Sequence, residues 1–199
     1  MRRALIDSAQ ISANVEVLRG LAPTDHTLVV VKANGYGHGA ETAARAALAG
    51  GADWLGVADV AEALELRSAG IDAPLLAWLH APDESFREAT AAGVTIGAST
   101  LAHLEALALC DNPSVHLKID TGLGRNGAGR DDTAAFVARA AELHHAGKIR
   151  VEGLMSHCSG TSREAARARR SAAARRRPAA TAYNAGACAA RRRCPRRAR

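Results

Sequence analysis

Between residues 27 and 157 the chain alternates short apolar runs with alanine-rich amphipathic stretches, and this alternation limits the fold more than any other feature. The runs are TLVVVKA, DWLGVAD, PLLAWLH, VTIGAS, VHLKID and RVEGLMSH. Apolar residues at successive positions suit strands covered on both faces, as in a parallel sheet. The intervening AETAARAALAGG, VAEALELRSAG and TAAFVARAAELHHAG carry helical spacing. Gly50, Gly70 and Gly147 stand where left-handed helix ends are expected, and Asp83 and Asp131 where N-caps are expected. A first amphipathic helix, SAQISANVEVLRG, precedes these units and aligns Ile11, Val15 and Leu18. Six βα units build either a doubly wound sheet or most of a (β/α)8 barrel.

A full barrel usually needs about 250 residues and eight strands. Here the pattern stops after His157, so the expected fold is α/β, a (β/α)8 TIM-type barrel left incomplete at about six of eight strands. The composition changes at the same place. Residues 163–199 hold 13 arginines, no lysine and a single acid, Glu164, whereas the residues before them hold 19 acids against 13 bases. The net charge of +6 is therefore the sum of a tail at +12 and a remainder at −6, and the basic character belongs to the tail alone. The expected organisation is a partial barrel over 1–160 and an Arg/Ala-rich tail over 161–199, without strands and disordered. Arginine without lysine is what a GC-rich gene read out of frame would encode, so truncation of a longer protein is the expectation. The competing reading is a basic arm that binds nucleic acid. With Tyr183 as its one aromatic and no recognised motif, such binding would be non-specific.

No run of 18 apolar residues and no signal-peptide pattern occurs, so no membrane span is expected and a cytoplasmic location is the default. The four cysteines, Cys110, Cys158, Cys188 and Cys194, lack CxxC spacing. Free thiols and no metal site are expected.

The stretch most suggestive of chemistry is LVVVKANGYGHGA, residues 28–40. Its Lys32 is the only lysine before Lys118. Gly35, Gly37 and Ala40 match the G-x-G-x-x-[G/A] fingerprint, with Asp59 where a ribose-binding acid would lie, and this pattern predicts an NAD-dependent Rossmann dehydrogenase. Against it, KAN separates strand from glycines, and Tyr36 and His38 crowd the turn. In a barrel, by contrast, chemistry gathers at the C-terminal ends of strands. A lysine partly desolvated there can form a Schiff base.

VVVKANGYGHGA resembles the pyridoxal-phosphate signature of the alanine racemases, and VHLKIDTGLGRNG resembles a second signature of that family. WLGVADVAEALELRSAGI and PLLAWLH, between them, are similar to it as well, so the resemblance runs from about residue 4 to residue 157. It implies that Lys32 carries pyridoxal 5′-phosphate as a Schiff base and serves as one of two acid–base groups. Tyr36 would bind the cofactor phosphate, and Arg125 its phenolic oxygen beside the substrate carboxylate. His157 would lie against the cofactor. Lys118 matches a position that is carbamylated in some members, where the resulting anion holds the arginine. The implied reaction interconverts L- and D-alanine, supplying D-alanine for peptidoglycan, in a homodimer. The family continues through two further strands, with a phosphate-binding serine and an arginine at the pyridine nitrogen. A β-rich domain then brings the opposing tyrosine base. None of these is recognised here, and Tyr183 is not assigned that role. The expectation for this chain is therefore weak or absent turnover.

Overall fold

Each apolar run becomes one strand, and all six run parallel. The computed structural model describes residues 3–22, 24–157, 182–184 and 188–190. Helix α1 (Ser8–Leu21) leads into β1 (His26–Val30), a single turn α2 (Lys32–Tyr36) and helix α3 (Ala40–Ala49). There follow β2 (Trp54–Val57), α4 (Val60–Ser68), β3 (Leu75–Ala77), α5 (Arg87–Ala91) and β4 (Thr95–Ala98). The series ends with α6 (Leu101–Leu107), β5 (Ser114–Lys118), α7 (Thr133–His145) and β6 (Arg150–Ser156). The strands lie side by side in chain order, β1 through β6. That order is a rolling half-barrel. A doubly wound sheet would reverse direction at a switch point, and the dehydrogenase expectation fails on this topology.

Two apolar layers follow from two-sided burial. Between sheet and helices lie Leu55, Leu75, Ile96, Val115 and Ile149, packed against Leu66, Leu104, Leu107 and Phe136. Each such side chain contributes about 1.5–3 kcal/mol when fully buried. On the concave face Leu28, Leu76, Trp78 and Met155 form a second cluster, with Val30, Trp54 and Leu79 at its margin. Trp78 fits there because two strand positions lack side chains. A Cβ on Gly56 would come within 2.7 Å of the Trp78 ring, and one on Gly97 within 2.8 Å of the Trp78 Cβ.

Helix ends depart from expectation in instructive ways. Gly70 and Gly147 do adopt positive φ, but Gly50 does not; the left-handed residue is Gly51. Gly50 is instead needed for space, since a Cβ there would lie 2.4 Å from the Ser12 carbonyl oxygen on α1. Val15 is buried on that helix whereas Leu18 is exposed. Asp83 falls in a turn and caps nothing: α5 begins after Phe86, whose buried ring fixes the start. The α7 cap position is Asp132, one residue later than expected.

Within 161–199, where no strand is expected, Ala182–Asn184 (β7) pairs parallel with β6 and Cys188–Ala190 (β8) pairs antiparallel with β1. Both occupy edges of the six-stranded sheet, where unpaired backbone groups accept a partner. The expected arginine-rich arm otherwise lies outside the described residues. Among those residues no helix is long and apolar enough to cross a membrane.

Candidate active site

Lys32 stands where β1 ends, and the chain then turns the wrong way. Val31 still pairs with β2, its N–H donating to the Gly56 carbonyl at 2.8 Å. Beyond it Ala33, Asn34, Gly35 and Tyr36 all have φ between 52° and 62°, one full left-handed turn. For each residue other than glycine this conformation costs about 1–2 kcal/mol. The turn is therefore anchored on several sides. The Ala33 N–H donates to Glu62 Oε1 at 2.6 Å, and the Ala40 N–H donates to Asn34 Oδ1 at 2.8 Å. His38 Nδ1 meets the Gly35 carbonyl at 2.8 Å, and the Gly39 N–H reaches the Asn34 carbonyl at 2.9 Å. Lys32 is left half-buried at the strand end, and Tyr36 projects from the turn with 60% exposure.

Lys118 closes β5, and its amine is buried. It donates to the Asn126 carbonyl. Burial, and then the Arg125 charge, push its pKa down, with Asp120 opposing. The loop that carries Arg125 is folded tightly back onto the strand end. Asp120 accepts N–H groups from Gly122, Leu123 and Gly124 at 2.8–2.9 Å, and these bonds hold its carboxyl below the usual range, that of Gly122 contributing most. The loop is closed by the Asp120 N–H on the Ala128 carbonyl at 2.9 Å and the Ala128 N–H on the Lys118 carbonyl at 2.8 Å. Gly127, with φ of +124°, passes so near that a Cβ would lie 2.6 Å from the Asp120 nitrogen. Arg125 itself is exposed at the tip.

His157, just after β6, joins the two groups. Its Nδ1 is buried and has no hydrogen-bond partner among the described residues. Burial lowers its pKa, and the charges of Arg125, Lys118 and Lys32 lower it further, in that order. Four of the five residues singled out in the sequence thus converge at the C-terminal ends of β1, β5 and β6. Tyr36 ends the turn that begins at Lys32 and is exposed.

Sequence reasoning missed Asp120, Asn126 and Glu62. The D-x-G pattern in IDTGLG could have signalled the first, since an aspartate before glycines commonly accepts the turn amides. Asp59 is not a ribose ligand: it caps α4, accepting the Glu62 N–H at 2.9 Å. Among the described residues no cluster of metal-ligating side chains occurs. A cleft of about 480 Å³ lined by Asp120, Thr121, Gly122, Gly129, Arg130 and Thr133 shares the loop but none of the four converging residues.

A parallel half-barrel with two lysines, an arginine and a histidine gathered at its strand ends defines a class: (β/α)8-type barrels, in which chemistry gathers at the C-terminal rim. The comparisons with known proteins narrow it. The family model for the alanine racemase N-terminal domain matches residues 6–193, and the chain belongs to that family. It is 46% identical over 159 residues to an alanine racemase of Thermobifida fusca, covering 77% of this chain and 42% of that relative. Among solved structures it resembles the alanine racemase of D-cycloserine-producing Streptomyces lavendulae, with a TM-score of 0.80 and 35% identity over 90% of this chain and 51% of that one. It also resembles that of Bacillus anthracis with bound L-Ala-P, with a TM-score of 0.76 and 26% identity over 90% and 50%. The chain thus spans about half or less of the relatives it matches.

Proposed function

We propose that this chain forms the cofactor-binding half-barrel of a pyridoxal-phosphate-dependent racemase acting on alanine, with Lys32 as the lysine that carries the cofactor. The observation that supports it best is the convergence of Lys32, Lys118 and Arg125 on His157 at one end of the parallel strands. An anionic group fits there. Lys32, Lys118 and Arg125 bring three cations toward His157, whose buried Nδ1 lacks a partner among the described residues. When bound, pyridoxal phosphate supplies an electron sink that makes the substrate α-proton acidic.

The rest falls to side chains of this chain. Lys32, at a half-buried strand end, would hold the cofactor through its aldehyde carbon and would take or return a proton at the substrate Cα. The planar guanidinium of Arg125 grips anionic oxygens, a phenolic oxygen and a carboxylate being the fitting pair. The surrounding cations favour a neutral His157, so its ring packs without adding charge. Lys118, if carbamylated, would set an anion behind Arg125; Tyr36 would offer its hydroxyl to a phosphate at the rim. The L-Ala-P bound by the Bacillus anthracis relative supports an alanine-like occupant. Supply of D-alanine and assembly as a homodimer belong to the same reading.

The test is to incubate the chain with pyridoxal phosphate, reduce with borohydride and locate the adduct by mass spectrometry. Lys32 should be labelled, and Lys32→Ala should lose the label. Labelling of Lys118 or Lys148 with Lys32 unmodified would refute the assignment. Racemisation needs a proton-handling group on each face of the substrate, and losing one typically costs about 10²–10⁴-fold. Alanine turnover by this chain alone is therefore expected near background.

A further inference from the structure

The stretch Asp59-Val60-Ala61-Glu62 reads as a capping box, in which the glutamate returns to the N–H of its own N-cap residue. Half of that box forms. Asp59 accepts the Glu62 N–H, but the Glu62 carboxylate goes elsewhere. Its Oε2 takes the Ala58 N–H at 2.7 Å, and its Oε1 crosses to the Ala33 N–H at 2.6 Å. Ala33 is the residue after Lys32 and the first of the left-handed turn. Ala58 is held in turn, because its carbonyl accepts the N–H groups of Trp78 at 3.1 Å and Leu79 at 2.6 Å. One carboxylate therefore ties the C-terminal end of β1 to that of β2, and the Ala58 carbonyl carries the link on to the end of β3.

We propose that Glu62 is a positioning residue for Lys32: its carboxylate holds the strained left-handed turn so that the amine emerges at the strand end in a fixed direction. The consequence for cofactor capture rests on Lys32 being the cofactor lysine. The hold on the turn does not. Both short bonds run from backbone N–H to an ionised acceptor, the stronger class of hydrogen bond. Without them the turn keeps its anchors at Asn34, His38 and Gly39 but loses the side-chain hold on the Ala33 N–H, so Ala33 can relax toward the ordinary right-handed region and Lys32 would swing with it. Glutamine keeps the shape but turns one oxygen into an amide that faces a backbone N–H, donor against donor.

The experiment uses the full chain and three variants, Glu62→Gln, Glu62→Ala and Asp59→Ala. Two quantities are read: the rate of imine formation with pyridoxal phosphate, followed by visible absorbance and by the borohydride-trapped Lys32 peptide, and amide hydrogen exchange over residues 32–36. Glu62→Gln and Glu62→Ala should slow imine formation by about tenfold or more and speed exchange in the turn. Asp59→Ala removes the α4 cap, so it should lower the melting temperature yet leave both readouts unchanged. If the parent is labelled at Lys32 and Glu62→Gln matches it in rate and exchange, the positioning role is overturned while the functional reading stands. If the parent is not labelled, the functional reading fails, and exchange alone decides whether Glu62 holds the turn. Equal effects from Asp59→Ala and Glu62→Gln would reduce Glu62 to ordinary helix capping and overturn the proposal.

Discussion

Gly35 and Gly37 lie two residues apart in the turn after Lys32, yet substitution should affect them differently. Both have positive φ, +62° and +85°. An alanine at either must adopt the left-handed region, at about 1–2 kcal/mol. They differ in space. A Cβ on Gly35 would lie 2.8 Å from the Ala43 Cβ on α3, whereas one on Gly37 meets nothing within 4 Å. Forcing an extra methyl into such a contact adds about 1–3 kcal/mol. Gly35→Ala should therefore destabilise by roughly 2–5 kcal/mol and Gly37→Ala by roughly 1–2 kcal/mol. Ala43→Gly removes the opposing methyl and leaves the Ala40 nitrogen, at 3.6 Å, as the nearest atom. Alone it should cost about 1 kcal/mol as a helical glycine. Combined with Gly35→Ala it should return the steric part, a favourable coupling of about 1–3 kcal/mol. Urea unfolding of the parent, the three single variants and the Gly35→Ala/Ala43→Gly double supplies every number. Equal losses at Gly35 and Gly37, or strict additivity in the double variant, would refute the packing of the turn on α3.

Two further outcomes follow from the charged groups. Lys118→Met removes a buried cation that burial and Arg125 already push toward the neutral form. Stability should hold or rise, because a well-packed apolar chain commonly replaces a buried charge without loss. His157, relieved of one of three neighbouring cations, should titrate at higher pH in NMR; an unmoved or lowered titration would contradict the cluster. His80, beyond β3, is lowered from 6.5 to about 4, chiefly by burial. The folded state thus binds its proton less readily than the unfolded state, so stability is full above about pH 6.5 and falls as pH drops from 6.5 toward 4. The fall reaches about 3 kcal/mol at most if the whole shift is realised. Replacing His80 with Gln should flatten the pH dependence of thermal unfolding in that window, and an unchanged slope would exclude His80 as its source.

Much of this molecule is legible in its sequence, because the features concerned are local. Continuous apolar runs could become only two-sided strands, and Lys32, Lys118 and His157 ended runs that became β1, β5 and β6. The glycine pattern at Gly35 and Gly37 was legible as a turn. Its hand was not, since the left-handed run at Ala33, Asn34 and Tyr36 is met by bonds no local pattern encodes, among them that of the Ala33 N–H to Glu62, 29 positions away. Gly50 was readable as a helix end, but its purpose lies in a contact with α1 that no local pattern encodes. Asp83 failed as a cap because burial of Phe86 decided where α5 begins. Chain-local rules place strands and helix ends, while long-range packing sets handedness and close approach.

The site also depends on curvature. In the sheet order β1 and β6 stand at opposite edges of the six parallel strands. Neighbouring strands are about 4.8 Å apart, so a flat sheet would separate β1 from β6 by about 24 Å. At that distance the Lys32 charge would scarcely reach His157 through water and salt. Yet Lys32 is among the charges that lower the His157 pKa, and Leu28 of β1 shares a buried cluster with Met155 of β6. Both facts require a sheet rolled far enough to bring its two edges together across the concave face. Trp78 fills that face, admitted by the bare backbone of Gly56 and Gly97. The interior packing therefore does more than stabilise the strands. It sets the radius at which charges from β1, β5 and β6 meet, and a cation cluster built this way is inseparable from the core beneath it.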